Sequence, residues 1–308
     1  MSEPRHFITG QELTPEELRD LVERAAELKH SSSAADGVLR GSMVALLFDR
    51  PSTRTRVSFE VAATQLGGGA LILKSEELQL ARGETVRDTA MVMSRYVQAL
   101  VARVGDHAQI EELARYSRVP VVNALTPLHH PCQTLADLLT LRERFGGLEG
   151  LRVAYVGDGN NVCHSLMLLG GAAGLQVSVA TPDQLRPDPA MVEAAGASVE
   201  LHDDPVAAAM GAHAIYTDVW VSMGDESEAE RRRALLAPYQ LNEKLLSAAR
   251  EDAVVLHCLP AHAGEEITAE LLYGERSAVW DQAENRLHTQ KALLELLLSR
   301  DNERLRSR

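Results

Sequence analysis

Cysteine and aromatic residues are scarce in this chain. Of 308 residues three are cysteines, Cys132, Cys163 and Cys258, and aromatics make up 4%. No two cysteines form a CxxC pair and their number is odd, which excludes a disulfide framework and argues against a structural zinc site. With so few rings, the core must be built mainly from Leu, Val and Ala. No apolar run approaches the roughly 18 residues that span a bilayer. The opening residues MSEPRHFITGQ lack the apolar stretch of a secretory signal. A reducing, cytoplasmic setting is therefore expected. Basic residues are outnumbered as well: 31 Lys and Arg against 44 Asp and Glu leave a net charge of −13. Polyanions reward basic faces, so no nucleic acid and no membrane surface is expected as a partner. A small anion held in a local basic pocket remains compatible with that balance. Neither a GxxxxGK[ST] phosphate loop nor a G-x-S-x-G nucleophile elbow occurs.

What is present reads as globular, with 45% hydrophobic and 24% charged residues. Thr14-Pro15-Glu16-Glu17 combines an N-cap threonine, proline at the first helical position and a glutamate three residues on, a capping box opening a helix to about Lys29. Met43–Phe48 (MVALLF) reads as a buried strand. An amphipathic helix over Val57–Leu66 follows, closed by Gly67-Gly68-Gly69. Strands at Ala70–Leu73, Ala99–Val104 and Val119–Leu125 alternate with helices at Glu84–Arg95 and Cys132–Phe145. A second series starts at Leu151–Val156 after the glycine-rich Gly146–Gly150, with further strands at Gln176–Ala180, Ala214–Thr217 and Ala253–Leu256. The rhythm predicts an α/β chain of two domains, each a parallel βα sheet flanked by helices. The first domain is expected over 1–145 and the second over 146–285. A leucine-rich last helix, clearest over Thr289–Leu298, is expected to pack back on the first domain as segment 286–308. The charged stretch Met223–Arg233 reads as a solvated loop.

Several strand ends carry chemistry. Ser52-Thr53-Arg54-Thr55-Arg56 lies between a strand and a helix, where hydroxyls, backbone N–H groups and a helix N-terminus favour an anion. Arginine forks suit phosphate. An N-capped helix with surface arginines would look the same. Arg103 ends the third strand, and His129-His130-Pro131-Cys132-Gln133 follows the fourth. His130 and Gln133 could polarise a carbonyl, or His130 could be a satisfied core histidine; no acid or thiol at metal-ligand spacing accompanies it. Gly157-Asp158-Gly159-Asn160-Asn161 resembles half a dinucleotide fingerprint, but the GxGxxG spacing is not met. Asn161 could instead read a zwitterion. Asp218, leading into Trp220-Val221-Ser222-Met223-Gly224, suits an ammonium, or simply caps a helix. Cys258 in His257-Cys258-Leu259-Pro260 could be a nucleophile, a hydrogen-bond partner or inert packing.

STRTR at 52–56, HPCQ at 130–133, DVWVSMG at 218–224 and HCLP at 257–260, in this order and at these intervals, resemble the aspartate/ornithine carbamoyltransferase family over nearly the whole chain. The SMG and HCLP motifs resemble its ornithine-accepting branch. The resemblance implies that carbamoyl phosphate is held by Ser52, Thr53, Arg54, Thr55, Arg103, His130, Gln133, Cys258, Leu259 and Arg286, with Gln79 contributed by a neighbouring copy in a homotrimer. It implies that L-ornithine is held by Asn161, Asp218, Ser222 and Met223. Cys258, Arg103, His130 and Arg54 take the catalytic roles, and no metal or organic cofactor is needed. The implied reaction is carbamoyl transfer to the δ-amine of ornithine, giving L-citrulline and phosphate in arginine biosynthesis or breakdown. Putrescine or an acylated ornithine is the alternative acceptor. The aspartate-using branch carries a lysine in the loop after the second strand, and Ser75–Glu84 has none. Pro127 ahead of HPCQ and Ala263 after HCLP depart from the family pattern.

Overall fold

The computed structural model describes residues 3–30, 37–50, 52–74, 83–221 and 226–306. They divide into two compact units, Met1–Leu139 with Asn285–Arg308, and Thr140–Glu284. The first opens with helix α1, Pro15–His30. Its capping box closes as the residue types require. Thr14 Oγ1 accepts from the Glu17 amide at 3.2 Å, and the Glu17 carboxylate accepts from the Thr14 amide at 3.0 Å.

Four strands form the first unit's sheet: β1 Met43–Phe48, β2 Gly69–Lys74, β3 Ala99–Arg103 and β4 Val121–Leu125. They are parallel in the order β2-β1-β3-β4. Central strands of a parallel sheet are covered on both faces, so they read as unbroken apolar runs rather than alternations. Residues 44–48 of β1 are accordingly all buried. Phe7 extends the sheet beyond β4: its amide donates to Val121 O at 2.8 Å and its carbonyl accepts from the Asn123 amide at 2.7 Å. Helix α2 (Thr53–Gln65) links β1 to β2, α3 (Val86–Met93) precedes β3, α4 (His107–Tyr116) precedes β4, and α5 (Pro131–Phe145) follows it. No helix was expected between β3 and β4; Asp106 caps α4 through the Ala108 amide at 3.0 Å.

The second unit holds β5 Arg152–Val156, β6 Gln176–Ala180, β7 Val199–His202, β8 Ala214–Thr217 and β9 Val254–His257, parallel in the order β7-β6-β5-β8-β9. Its edge strand β7 (VELH) is half-exposed and polar, which is why no apolar run announces it.

The C-terminal helix runs over Val279–Arg306, longer than its leucine stretch suggests. Within the first unit it packs on α1. Lys29 Nζ donates to Asn285 Oδ1 at 2.8 Å, Lys291 Nζ to Leu28 O at 3.0 Å, and Arg24 forks onto Glu295 at 2.7 and 2.9 Å. Burial lowers the Lys291 pKa, so its backbone partner is the compensation its charge requires. No helix among the described residues is long and apolar enough to cross a membrane.

Leu100 in β3 is fully buried in an apolar cluster with Ala45, Leu47, Ile110 and Val121. Leu100→Ala should lower the unfolding free energy by about 2–5 kcal/mol in urea titrations. A loss below about 1 kcal/mol would show that this cluster does not hold the sheet.

Candidate active site

In each sheet the chain builds outward in one direction and then in the other, and the reversal points lie between β1 and β3 and between β5 and β8. Crevices outside the C-terminal strand ends at such points are where open α/β sheets bind ligands. The first carries Ser52–Thr55 and Arg103, the second Gly157–Asn161 and Asp218.

In the first unit, Ser52 stands at the N-cap of α2 with extended backbone, but its side chain makes no capping bond. Its hydroxyl instead accepts from Arg103 Nη1 at 3.2 Å. The first-turn amides of α2 are thus directed at the loop without the usual side-chain acceptor, the arrangement that favours an external anion. Thr53 and Arg54 are exposed on that turn, and Thr55 is buried beneath it. Arg286, buried on the C-terminal helix, donates through Nη2 to Thr55 Oγ1 at 3.0 Å and through Nη1 to Gln133 Oε1 at 2.7 Å. Gln133 Nε2 donates to Asp137 Oδ1 at 2.9 Å. Sequence motifs distant along the chain therefore meet in one buried polar chain. His130 joins them: burial, with Arg286 and Arg103 adding to it, holds its imidazole well below the usual histidine pKa. It is a neutral ring beside two guanidinium groups, so it donates or accepts without adding charge.

The loop presenting His130 is a tight turn. The Thr126 amide donates to His129 O at 2.9 Å, and the His129 amide donates to Thr126 Oγ1 at 3.2 Å. Pro127 occupies the second position of this turn, where a fixed φ suits the bend and no N–H is called for. Its departure from the family pattern is thus compatible with the loop.

In the second unit, Asn160 caps helix α6, Asn161–Ser165, through its Oδ1. Its Nδ2 donates to Asp218 Oδ2 at 2.7 Å. The other carboxylate oxygen accepts from Cys258 Sγ at 2.9 Å. The thiol is the donor there, so Cys258 has a hydrogen-bond partner in Asp218. Asn161 sits half-buried on the first turn of α6. Leu259 has φ of 59°, unusual for a branched side chain. Its amide donates to His257 Nδ1 at 2.9 Å, and His257 Nε2 faces the fully buried Glu266 at 3.0 Å. His257 therefore carries its proton on Nε2. Asp218, His257 and Cys258 offer ligand-type atoms within 4.8 Å of one another, but both His257 nitrogens are committed to these partners, which does not suit a metal. Gln79, Ser222 and Met223 lie outside the described residues.

The other two cysteines are packing residues. Cys132 is buried, donates to Asn123 O at 3.3 Å and has its pKa pushed up to about 12 by burial. Burial raises the buried Cys163 thiol well above its usual range as well.

Comparison with known proteins decides the family. The carbamoyl-P binding domain of aspartate/ornithine carbamoyltransferase matches residues 5–143, and its Asp/Orn binding domain matches residues 149–297. The ornithine carbamoyltransferase of Acidothermus cellulolyticus is 54% identical over 301 residues, covering 96% of each chain. The solved structure of the Pyrococcus furiosus ornithine carbamoyltransferase superposes with a TM-score of 0.92 at 49% identity, covering 96% of this chain and 98% of that one. The Thermus thermophilus enzyme gives 0.89 at 47% identity, covering 96% and 100%. The chain belongs to the aspartate/ornithine carbamoyltransferase family.

Within that family the Gly157–Asn161 loop is not a dinucleotide cradle. The Gly159 amide donates to Leu185 O at 2.8 Å, and a Cβ there would lie 2.3 Å from the Pro187 nitrogen. The chain's own 185–187 segment takes the close approach that a pyrophosphate would need. Sequence reasoning named Asn161 and passed over its neighbour Asn160, although asparagine ahead of a helix is a cap signal. It also passed over Asp137, Glu266 and Thr126, which no motif marks; a polar residue at a core-facing position was the available signal.

A neutral His130 has a pH consequence. The unfolded state takes up a proton near pH 6.5 and the folded state does not, so stability falls as pH drops below that value. Urea titrations should show the stability of the parent relative to His130→Gln declining as pH falls below about 6.5. A constant difference would mean that His130 takes up its proton equally in the folded and unfolded states.

Proposed function

We propose that this protein transfers the carbamoyl group of carbamoyl phosphate to the δ-amine of L-ornithine, giving L-citrulline and phosphate. The observation that carries the reading is the buried chain Thr55–Arg286–Gln133–Asp137, lying with neutral His130 and the Arg103–Ser52 pair at three strand ends of one sheet. It offers a cationic, donor-rich pocket to a ligand with an anionic end and a carbonyl end.

Ser52, Thr53, Arg54 and Thr55 take the phosphate, with the α2 amides and the Arg103 and Arg286 guanidinium groups. Arg103, His130 and Thr55 donate to the carbonyl oxygen, and Gln133 holds the carbamoyl amide. In the second unit Asn161, Asp218, Ser222 and Met223 take the amino-acid end of ornithine, with Cys258 and Leu259 beside the reacting amine. Such an amine has a pKa of about 10 and must be neutral to attack; a desolvated site near arginines lowers that value. Its nitrogen forms a bond to the carbonyl carbon while the carbonyl π electrons move to oxygen. Donors aimed at that oxygen stabilise the oxyanion. The C–O bond to phosphate then breaks, phosphate leaves, and the surplus amine proton passes to it. The Cys258–Asp218 pair supports the approach of the amine by keeping an anionic acceptor near the thiol. The same reading takes the protein as a homotrimer in which Gln79 of a neighbouring copy completes the carbamoyl phosphate site.

Citrulline should form from carbamoyl phosphate with ornithine, and aspartate and putrescine should be poor acceptors. A preference for either of the latter would overturn the assignment of the acceptor. Asp218→Asn should raise the ornithine KM by about tenfold or more while shifting that of carbamoyl phosphate little. Equal rises in both would contradict the division of the two sites.

A further inference from the structure

Asp137 has no assigned part in holding substrate, yet it ends the buried chain Thr55–Arg286–Gln133. It is fully buried on α5, one turn beyond Gln133, whose Nε2 donates to its Oδ1 at 2.9 Å. Gln133 lies between two partners of opposite character. Arg286 can only donate, so the Gln133 oxygen must face it, as it does at 2.7 Å. The amide nitrogen must then point the other way, where a buried donor requires an acceptor. Asp137 is that acceptor. Without it, the rotated amide would direct its N–H groups at the guanidinium, two donors facing each other in a buried site. Arg286 would lose the partner that aims its other nitrogen at Thr55 Oγ1, 3.0 Å away. That second bond has its own consequence. Because Thr55 accepts from Arg286, its hydroxyl hydrogen is left to donate to another acceptor.

We propose that Asp137 is a positioning residue of the carbamoyl phosphate half-site: it sets the orientation of the Gln133 amide, which aims Arg286 and so leaves the Thr55 hydroxyl as a donor toward the ligand. The proposal rests on the reading of this half-site as the carbamoyl phosphate pocket. Its defining requirement is an acceptor atom at position 137, not a charge.

The test compares Asp137→Asn, which keeps an acceptor oxygen, with Asp137→Leu, which removes it at similar size. Citrulline formation by the parent enzyme tests the underlying reading separately. Calorimetric binding of inorganic phosphate compares the variants with the parent whatever that reading's outcome. Asp137→Leu should raise the carbamoyl phosphate KM and weaken phosphate binding by at least about tenfold, with the ornithine KM within about twofold of the parent. Asp137→Asn should stay within about threefold on every measure. In a Gln133→Ala background, adding Asp137→Leu should cost nothing further, because the route through Gln133 is already cut. Equal losses in Asn and Leu, equal rises in both KM values, or additive losses in the Gln133→Ala background would each overturn the proposal. If Asp137→Leu does not fold, the Asn variant alone and within the Gln133→Ala background decides: a tenfold loss in Asn overturns it, and parent-like binding in both comparisons supports it.

Discussion

One guanidinium holds the first half-site together. Arg286 arrives on the C-terminal helix and bonds Thr55, 231 residues earlier in the chain, and Gln133, 153 residues earlier. A buried cation is costly unless its hydrogens are matched, and each partner here is itself matched: Gln133 by Asp137, Thr55 by its place in the first turn of α2. The ties between α1 and the C-terminal helix, from Lys29, Lys291 and Arg24, make this arrival reproducible. They sit within the same unit as the residues they serve. In the proposed function the last helix is thus part of the binding apparatus.

The second half-site is the electrostatic counterpart. The first gathers Arg103, Arg286 and a neutral imidazole in a chain whose net charge is −13. The second centres on one carboxylate, Asp218, whose oxygens accept from an amide and a thiol. In the proposed function an anionic donor substrate and an amino-acid acceptor suit these environments respectively, and both environments lie where open parallel sheets reverse their order of construction. A net charge of −13 argues against polyanionic partners, and in the proposed function the local basic cluster reads a small anion.

Central strands and motif loops were legible in the sequence because burial on both faces leaves apolar runs, as in MVALLF, and because strand-end motifs keep their local spacing. The elements that escaped reading are those whose burial is achieved by polar residues or by pairing from afar. VELH forms an edge strand without an apolar run, and Phe7 joins the sheet only through backbone bonds to Val121 and Asn123. The last helix begins at Val279, ten residues before its leucine stretch, because Gln282, Asn285 and Arg286 are buried through hydrogen bonds and look like surface residues to a periodicity argument. Asn160 and Asp137 were missed for the same reason: their importance lies in what they orient, and orientation leaves no pattern in one sequence.

The central claim is that Arg286, through its two-pronged bonding, builds the anion site of the first unit. Its most direct test is the dissociation constant of inorganic phosphate for Arg286→Lys, measured by calorimetry beside the parent. A lysine keeps the charge but cannot bond Thr55 and Gln133 in the same fork. The account predicts phosphate binding weaker by at least about tenfold with the ornithine KM unchanged. Phosphate affinity equal to the parent's would contradict it, because charge alone would then suffice.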